Sequence, residues 1–269
     1  MRPRTHTSTP LLSVVWMSLA FFCFGLTASS VVASKSVSTL AIRENVSTSH
    51  RNELINKLQK ITGWKGLRFE SDGRLSIEVV DPLSGSKGAR SLLAAAAYGP
   101  NAIVLEDASS RADVAFCRVV PGKWRNDESL KRPAFVVLID FTDFGHLVGD
   151  KEARAAFDVG WAVLHELDHI VMESEDTELD GHLGECEDHI NRMRAEMGLP
   201  LRADYFFRDT SLRTDPNFNT RFVRLPFEQR DAFSARTKRY WLTWDSNAVG
   251  GLTANSQTAS LRPVASSTK

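Results

Sequence analysis

Hydrophobic positions along the chain switch between two periods. Leu54, Ile55, Leu58 and Ile61 fall at helical spacing and predict a helix over 51–62. The stretch 67–80 alternates on either side of Ser71-Asp72-Gly73, the pattern of a hairpin. Alanine-rich 91–98 predicts a short helix stopped by Gly99-Pro100. Three strand-like runs then follow at 102–105, 114–120 and 134–141. The last holds Phe135-Val136-Val137-Leu138-Ile139, the most apolar of the three and the one expected at the centre of a sheet. Asp150 is placed to cap a long helix over about 151–172, and an acidic loop, 173–180, leads through Gly181 to a second helix over about 185–197. The second helix has the apolar ridge Cys186, Ile190, Met193 and Met197 and the stop signal Gly198-Leu199-Pro200. Beyond it the pattern weakens, with strand-like runs at 220–225 and 238–243 and no internal repeat. Strands first, then two consecutive helices, predicts an α+β fold with a small sheet packed on the first of those helices.

Composition adds boundaries. Arg2 and Arg4 precede an apolar run, 11–26, that ends in small residues with cleavage positions after Ser30 or Ala33, so residues 1–33 are expected to be a signal peptide and the protein secreted or periplasmic. The run is short for a membrane span, and membrane contact is expected only if the segment stays uncleaved. Ser/Thr/Val-rich residues 34–50 predict a linker, residues 51–244 one domain, and Ser/Thr/Ala-rich residues 245–269 a disordered tail. The 33 basic residues balance the 33 acidic ones, which gives no basic surface for nucleic acid. Cys117 and Cys186 are the cysteines beyond the signal, too few for a disulfide framework although an oxidising compartment would permit one bridge.

The chemistry concentrates in His165-Glu166-Leu167-Asp168-His169, an HExxH segment inside the predicted long helix. Residues four apart lie about 40° apart around a helix, so both imidazoles can reach one metal ion. Zinc takes imidazole nitrogen readily, and Glu166, about 100° from His165, would stand beside the metal as a base for water. Chance would produce the pattern in roughly one such chain in a hundred, given seven histidines in 269 residues. Context favours a real site. Ala156, Gly160, Val163, Leu167 and Val171 form one ridge, and the histidines point the other way, beside Trp161. A hydrolytic zinc needs a third protein ligand, and Asp180, His182, Glu185, Glu187 and His189 all follow within reach. The second helix has two polar flanks, one with Glu187, Asn191 and Arg194 and one with Glu185, His189 and Arg192, and helix geometry leaves both open.

The motif and its setting over residues 135–205 resemble the zincins, zinc peptidases whose HExxH helix packs beside a small sheet. The xxGxxH extension of metzincins is absent after His169, which leaves a likeness to the group that draws a glutamate from the next helix. Gly184-Glu185-Cys186-Glu187, Asn191, Arg194, Glu196, Gly198-Leu199-Pro200, Arg202 and Tyr205 are loosely similar to bacterial effector-type zinc peptidases. The resemblance implies Zn2+ held by His165, His169 and Glu187, with Glu166 as general base in the hydrolysis of a peptide or protein substrate. Tyr205 is expected as a half-buried aromatic beside Phe206 and Phe207, with donation to the oxyanion as the alternative. Asp168 departs from the pattern, and His-Glu-Leu-Asp-His also resembles peptide deformylase, but that family's glycine-rich first motif and the setting of its cysteine are missing around Cys117. Asp168 is expected instead to support the site or pair with an arginine. The alternative is a metal-binding module on the same scaffold without turnover, which would not need Glu166.

Overall fold

A computed structural model of the chain describes residues 37–78, 84–109, 111–122, 133–210, 221–231, 234 and 236–250. The expected signal peptide and most of the expected tail lie outside the described residues. In chain order the elements are β1 (Leu40–Ile42), α1 (Thr48–Thr62), β2 (Gly66–Phe69), β3 (Leu75–Glu78), α2 (Lys87–Tyr98), β4 (Ala102–Asp107), β5 (Cys117–Pro121), β6 (Ala134–Ile139), α3 (Phe141–Gly145), β7 (Val148–Gly149), α4 (Lys151–Ala156), α5 (Val159–Val171), α6 (Gly184–Glu196), β8 (Leu201–Arg202), β9 (Arg208–Asp209), β10 (Phe222–Arg230) and β11 (Thr237–Asp245). The fold is α+β, as the pattern predicts. None of the described helices is long and apolar enough to cross a membrane.

One sheet runs in the order β1-β4-β6-β5, with β1, β4 and β6 parallel and β5 antiparallel at the edge. The apolar run at 134–139 is interior, as expected. Its buried face, with Ile103 and Leu105 of β4 and Val137 and Ile139 of β6, packs in one core with Leu54, Leu58 and Ile61 of α1, Leu93 of α2 and Val163, Leu164 and Leu167 of α5. Helix α5 is thus enclosed by the sheet and other helices, and Gly160 lets α1 approach it: a Cβ there would lie 2.8 Å from Lys57 Cβ and 2.9 Å from Ile61 Cδ1. A second sheet, β7-β11-β10-β8 with β9 also on β10, is built on the long β10–β11 hairpin. It forms a separate core with Ala153 and Ala156 of α4, Phe116 and Leu147.

Three sequence expectations are corrected. Residues 245–250, expected in a disordered tail, hold the end of β11 and put Val249 in the second core. Residues 40–42, assigned to a linker, form β1 and place Leu40 and Ile42 in the main core, with Leu40 Cα opposite Ile103 in a parallel pair. Three apolar residues within a Ser/Thr-rich segment are too short to display a period. The long helix at 151–172 is two helices. Phe157 is extended, and Asp158 begins α5 by accepting the Gly160 and Trp161 N–H groups at 3.0 and 3.3 Å. Asp150 stands at the N-cap of α4, but its carboxylate accepts from Trp241 N–H at 2.7 Å and so fastens the helix to the second sheet.

Candidate metal centre

Helix α5 carries His165, Glu166 and His169 into a cleft beside edge strand β5. Each imidazole is fixed through Nδ1. His169 Nδ1 donates to the Ser174 carbonyl at 2.8 Å, and His165 Nδ1 lies 3.4 Å from Glu187 Oε2. Both Nε2 atoms therefore turn to the same side, where they meet one carboxylate: His165 Nε2 is 3.2 Å from Asp176 Oδ1, and His169 Nε2 is 3.4 Å from Asp176 Oδ2. Anchoring Nδ1 and freeing Nε2 is how proteins set a metal-binding tautomer. Two ligands of a tetrahedral zinc, each about 2.0–2.1 Å from the ion, stand roughly 3.3 Å apart, which these separations match. Cys186 Sγ joins the group, since donor atoms of His165, His169, Asp176 and Cys186 lie within 4.8 Å of one another. The Cys186 thiol donates to the His165 carbonyl at 3.4 Å. These donors suit zinc or another borderline transition metal.

Asp176 is held there by the backbone around it. It bridges to Gly184 across the loop, and the Cys186 N–H donates to the Glu175 carbonyl at 3.3 Å. Gly184 has a φ of +81°, and a Cβ on it would lie 2.6 Å from Thr177 N, so only glycine lets the loop close onto α6. The Tyr205 hydroxyl donates to Asp176 Oδ2. Burial alone would depress the two imidazoles. Their contacts with Asp176 outweigh it, driving His165 well above the ordinary histidine value and His169 to about 11. The same imidazoles hold Asp176 far below the usual carboxylate range, against the partial desolvation of its carboxyl. This cluster draws positive charge to its centre, and a divalent cation would take the place of the protons.

Glu187 stands on the other side of His165. Its Oε1 accepts from Arg194, and its Oε2 accepts from Arg202 Nη1 at 2.9 Å while facing His165 Nδ1. The two guanidinium groups hold its carboxyl far below the usual range although burial opposes this. Asn191 Oδ1 receives Arg194 Nη1 and the Arg202 N–H, each at 2.9 Å, and Arg194 Nε donates to the Ala156 carbonyl at 2.8 Å. Glu187 thus orients a histidine and lies outside the group around Asp176. Asp180, His182 and Glu185 are exposed and also lie outside it. His189 Nδ1 pairs with Asp168 at 2.7 Å, and Asp168 also accepts from Ser174 Oγ at 2.7 Å. Asp168 is therefore a buried brace for the turn that positions His169, and among the described residues its partners are His189 and Ser174, not an arginine. Sequence reasoning missed Asp176, one of several carboxylates in an aperiodic loop, and read Cys186 as part of an apolar ridge or of a bridge, not as a metal donor. Cys117 and Cys186 are free thiols.

Arg194 and Glu187 have side chains only 2% and 1% exposed, so removing Arg194 leaves buried Glu187 with Arg202 as its remaining partner and takes the donor from the buried Ala156 carbonyl and Asn191 Oδ1. Arg194→Met is expected to lower the unfolding free energy by about 3–5 kcal/mol in urea denaturation.

Glu166 is buried and accepts the Val119 N–H of β5 through Oε2 at 2.8 Å. Burial raises its pKa from the ordinary carboxylate value, against the pull of His165 and His169. A raised carboxylate suits proton transfer near neutral pH. Compared with protein-family models, curated proteins and solved structures, the chain matches none.

Proposed function

We propose that the chain is a zinc-dependent peptidase, secreted or periplasmic, in which His165, His169 and Asp176 hold the metal and Glu166 is the general base. The observation that carries this reading is the convergence of two Nδ1-anchored imidazoles on one carboxylate, with a buried glutamate one residue from the first histidine. Zinc in such a site supplies Lewis acidity toward a carbonyl and brings a water's pKa toward about 7. The chain's own residues do the rest. Val119 fixes Glu166 through one oxygen, which leaves Oε1 to take a proton from water and return it to the leaving nitrogen. Glu187 and Ser174 keep the histidine rings aligned. Purified mature protein is expected to bind one zinc per chain and to cleave a mixed peptide library, with cleavage lost to a chelator and restored by zinc. Stoichiometric zinc without cleavage of any peptide would count against the peptidase reading.

The nearness of Cys186 favours a second reading, a closed site with two histidines, Asp176 and Cys186 and no position left for water. On the peptidase reading Cys186→Ala keeps zinc near one per chain by elemental analysis, and the Co2+-substituted protein lacks the strong near-ultraviolet band of a thiolate ligand. Loss of zinc in Cys186→Ala, together with such a band in the parent, would establish the closed site.

A further inference from the structure

Beside His165 and Glu166 lies a cavity of about 300 Å3 whose walls belong to both cores. That volume is at the small end for ligand pockets and fits one side chain better than a cofactor. Its walls include Phe116, Phe157, Trp161, Phe207, Leu225 and Trp244. The aromatic walls are fixed. Phe116 packs against Phe157 and Trp244 with ring centroids 5.2 and 5.5 Å apart, both edge-on, and the Trp161 indole N–H donates to the Ala155 carbonyl at 3.2 Å.

Two departures from regular structure serve this cavity. Phe116 has a φ of +62°, a conformation costly for a bulky residue. It is held there by its N–H donating to Asp143 Oδ2 at 2.9 Å and by its carbonyl accepting from Asp140 N–H at 2.9 Å. The break between α4 and α5 likewise places Phe157 in the wall. Away from His165 and Glu166, the charged lining groups are already engaged with one another: Glu187 lies between Arg194 and Arg202, and Arg202 also donates to the Asp204 and Tyr205 carbonyls. Apart from Glu166 and His165 at its catalytic end, which the peptidase reading commits to water and the metal, the cavity offers a charged side chain no counter-charge, whereas an aromatic one would meet ring edges and faces.

We propose that this cavity is the specificity pocket of the enzyme and takes one large apolar side chain, preferably aromatic, from a residue flanking the bond to be cut. The inference rests on the peptidase reading, because the cavity opens beside the base, but its first test does not require turnover. The zinc-loaded full chain is titrated with N-acetylphenylalaninamide and N-acetylglycinamide by ligand-observed NMR. Saturable binding of the aromatic amide alone is expected, weakened tenfold or more by Ala162→Met and by Ala115→Leu, which fill the cavity from two different walls. The second variant keeps the test decisive if the first fails to fold. Equal binding of the two amides, or parent-like aromatic binding in the filled variants, would overturn the pocket. In a peptide-library digest, kcat/KM is expected to be about 100-fold or more higher for bonds flanked by an aromatic residue than for bonds flanked only by glycine. Cleavage without apolar preference would overturn the pocket and leave the peptidase, whereas aromatic binding without any cleavage would overturn the peptidase and leave the pocket.

Discussion

Glu166→Gln is expected to bind zinc like the parent and to hydrolyse peptides roughly 10²–10⁴-fold more slowly. The amide can still accept the Val119 N–H that anchors Oε2 at 2.8 Å, so the cleft should keep its shape. What it cannot do is take a proton from water. Glu166 is not in the group of donor atoms around Asp176, so metal content should not change. Burial raises the Glu166 pKa, and parent activity should therefore fall on acidification at a pH above the ordinary carboxylate range. Zinc content, kcat and the pH profile of kcat/KM are the measurements. Parent-like turnover in Glu166→Gln would exclude this residue as the base, and loss of zinc would show that it acts on the metal instead.

The parts of this molecule that were legible in its sequence are those with a local period. HExxH on a helix, the interior strand 134–139 and the β2–β3 hairpin all follow from residues within a turn or two of each other. The β1 strand was not legible, because its place depends on a parallel pairing with β4 some sixty residues away. The helix break at 157–158 was hidden for a related reason: the apolar pattern continues across it, and the capping bonds of Asp158 make the break. The residues of the loose family likeness are mostly scaffold. Glu187, Asn191, Arg194, Arg202 and Tyr205 form one hydrogen-bonded chain under His165, while Glu196 caps α2 by accepting from Ser86 Oγ at 2.6 Å and Gly88 N–H at 3.0 Å. The family likeness brought Glu187 into view, but a likeness in sequence does not say which nitrogen of His165 it faces. That depends on two arginines, one of them from β8.

Asp176→Ala is expected to weaken zinc binding by more than about 100-fold, and Glu187→Gln by roughly 10–100-fold. The order follows from position. Asp176 faces both Nε2 atoms, at 3.2 and 3.4 Å, so its loss leaves two imidazoles to hold the ion. Glu187 faces His165 Nδ1 and never reaches the Nε2 side, so its amide loosens one ring and leaves the donor set intact. Glu187→Gln also uncouples two arginines and should lower the unfolding free energy, whereas the more exposed Asp176 should cost the metal-free fold less. The two effects separate in a chelator competition run on folded protein beside urea denaturation of the metal-free forms. Equal losses of affinity would mean that both carboxylates touch the metal. A Glu187→Gln protein weaker than Asp176→Ala would restore the glutamate of the second helix as the third ligand. It would also require His165 to turn its ring over, which the hydrogen bonds of Glu187 to Arg194 and Arg202 oppose.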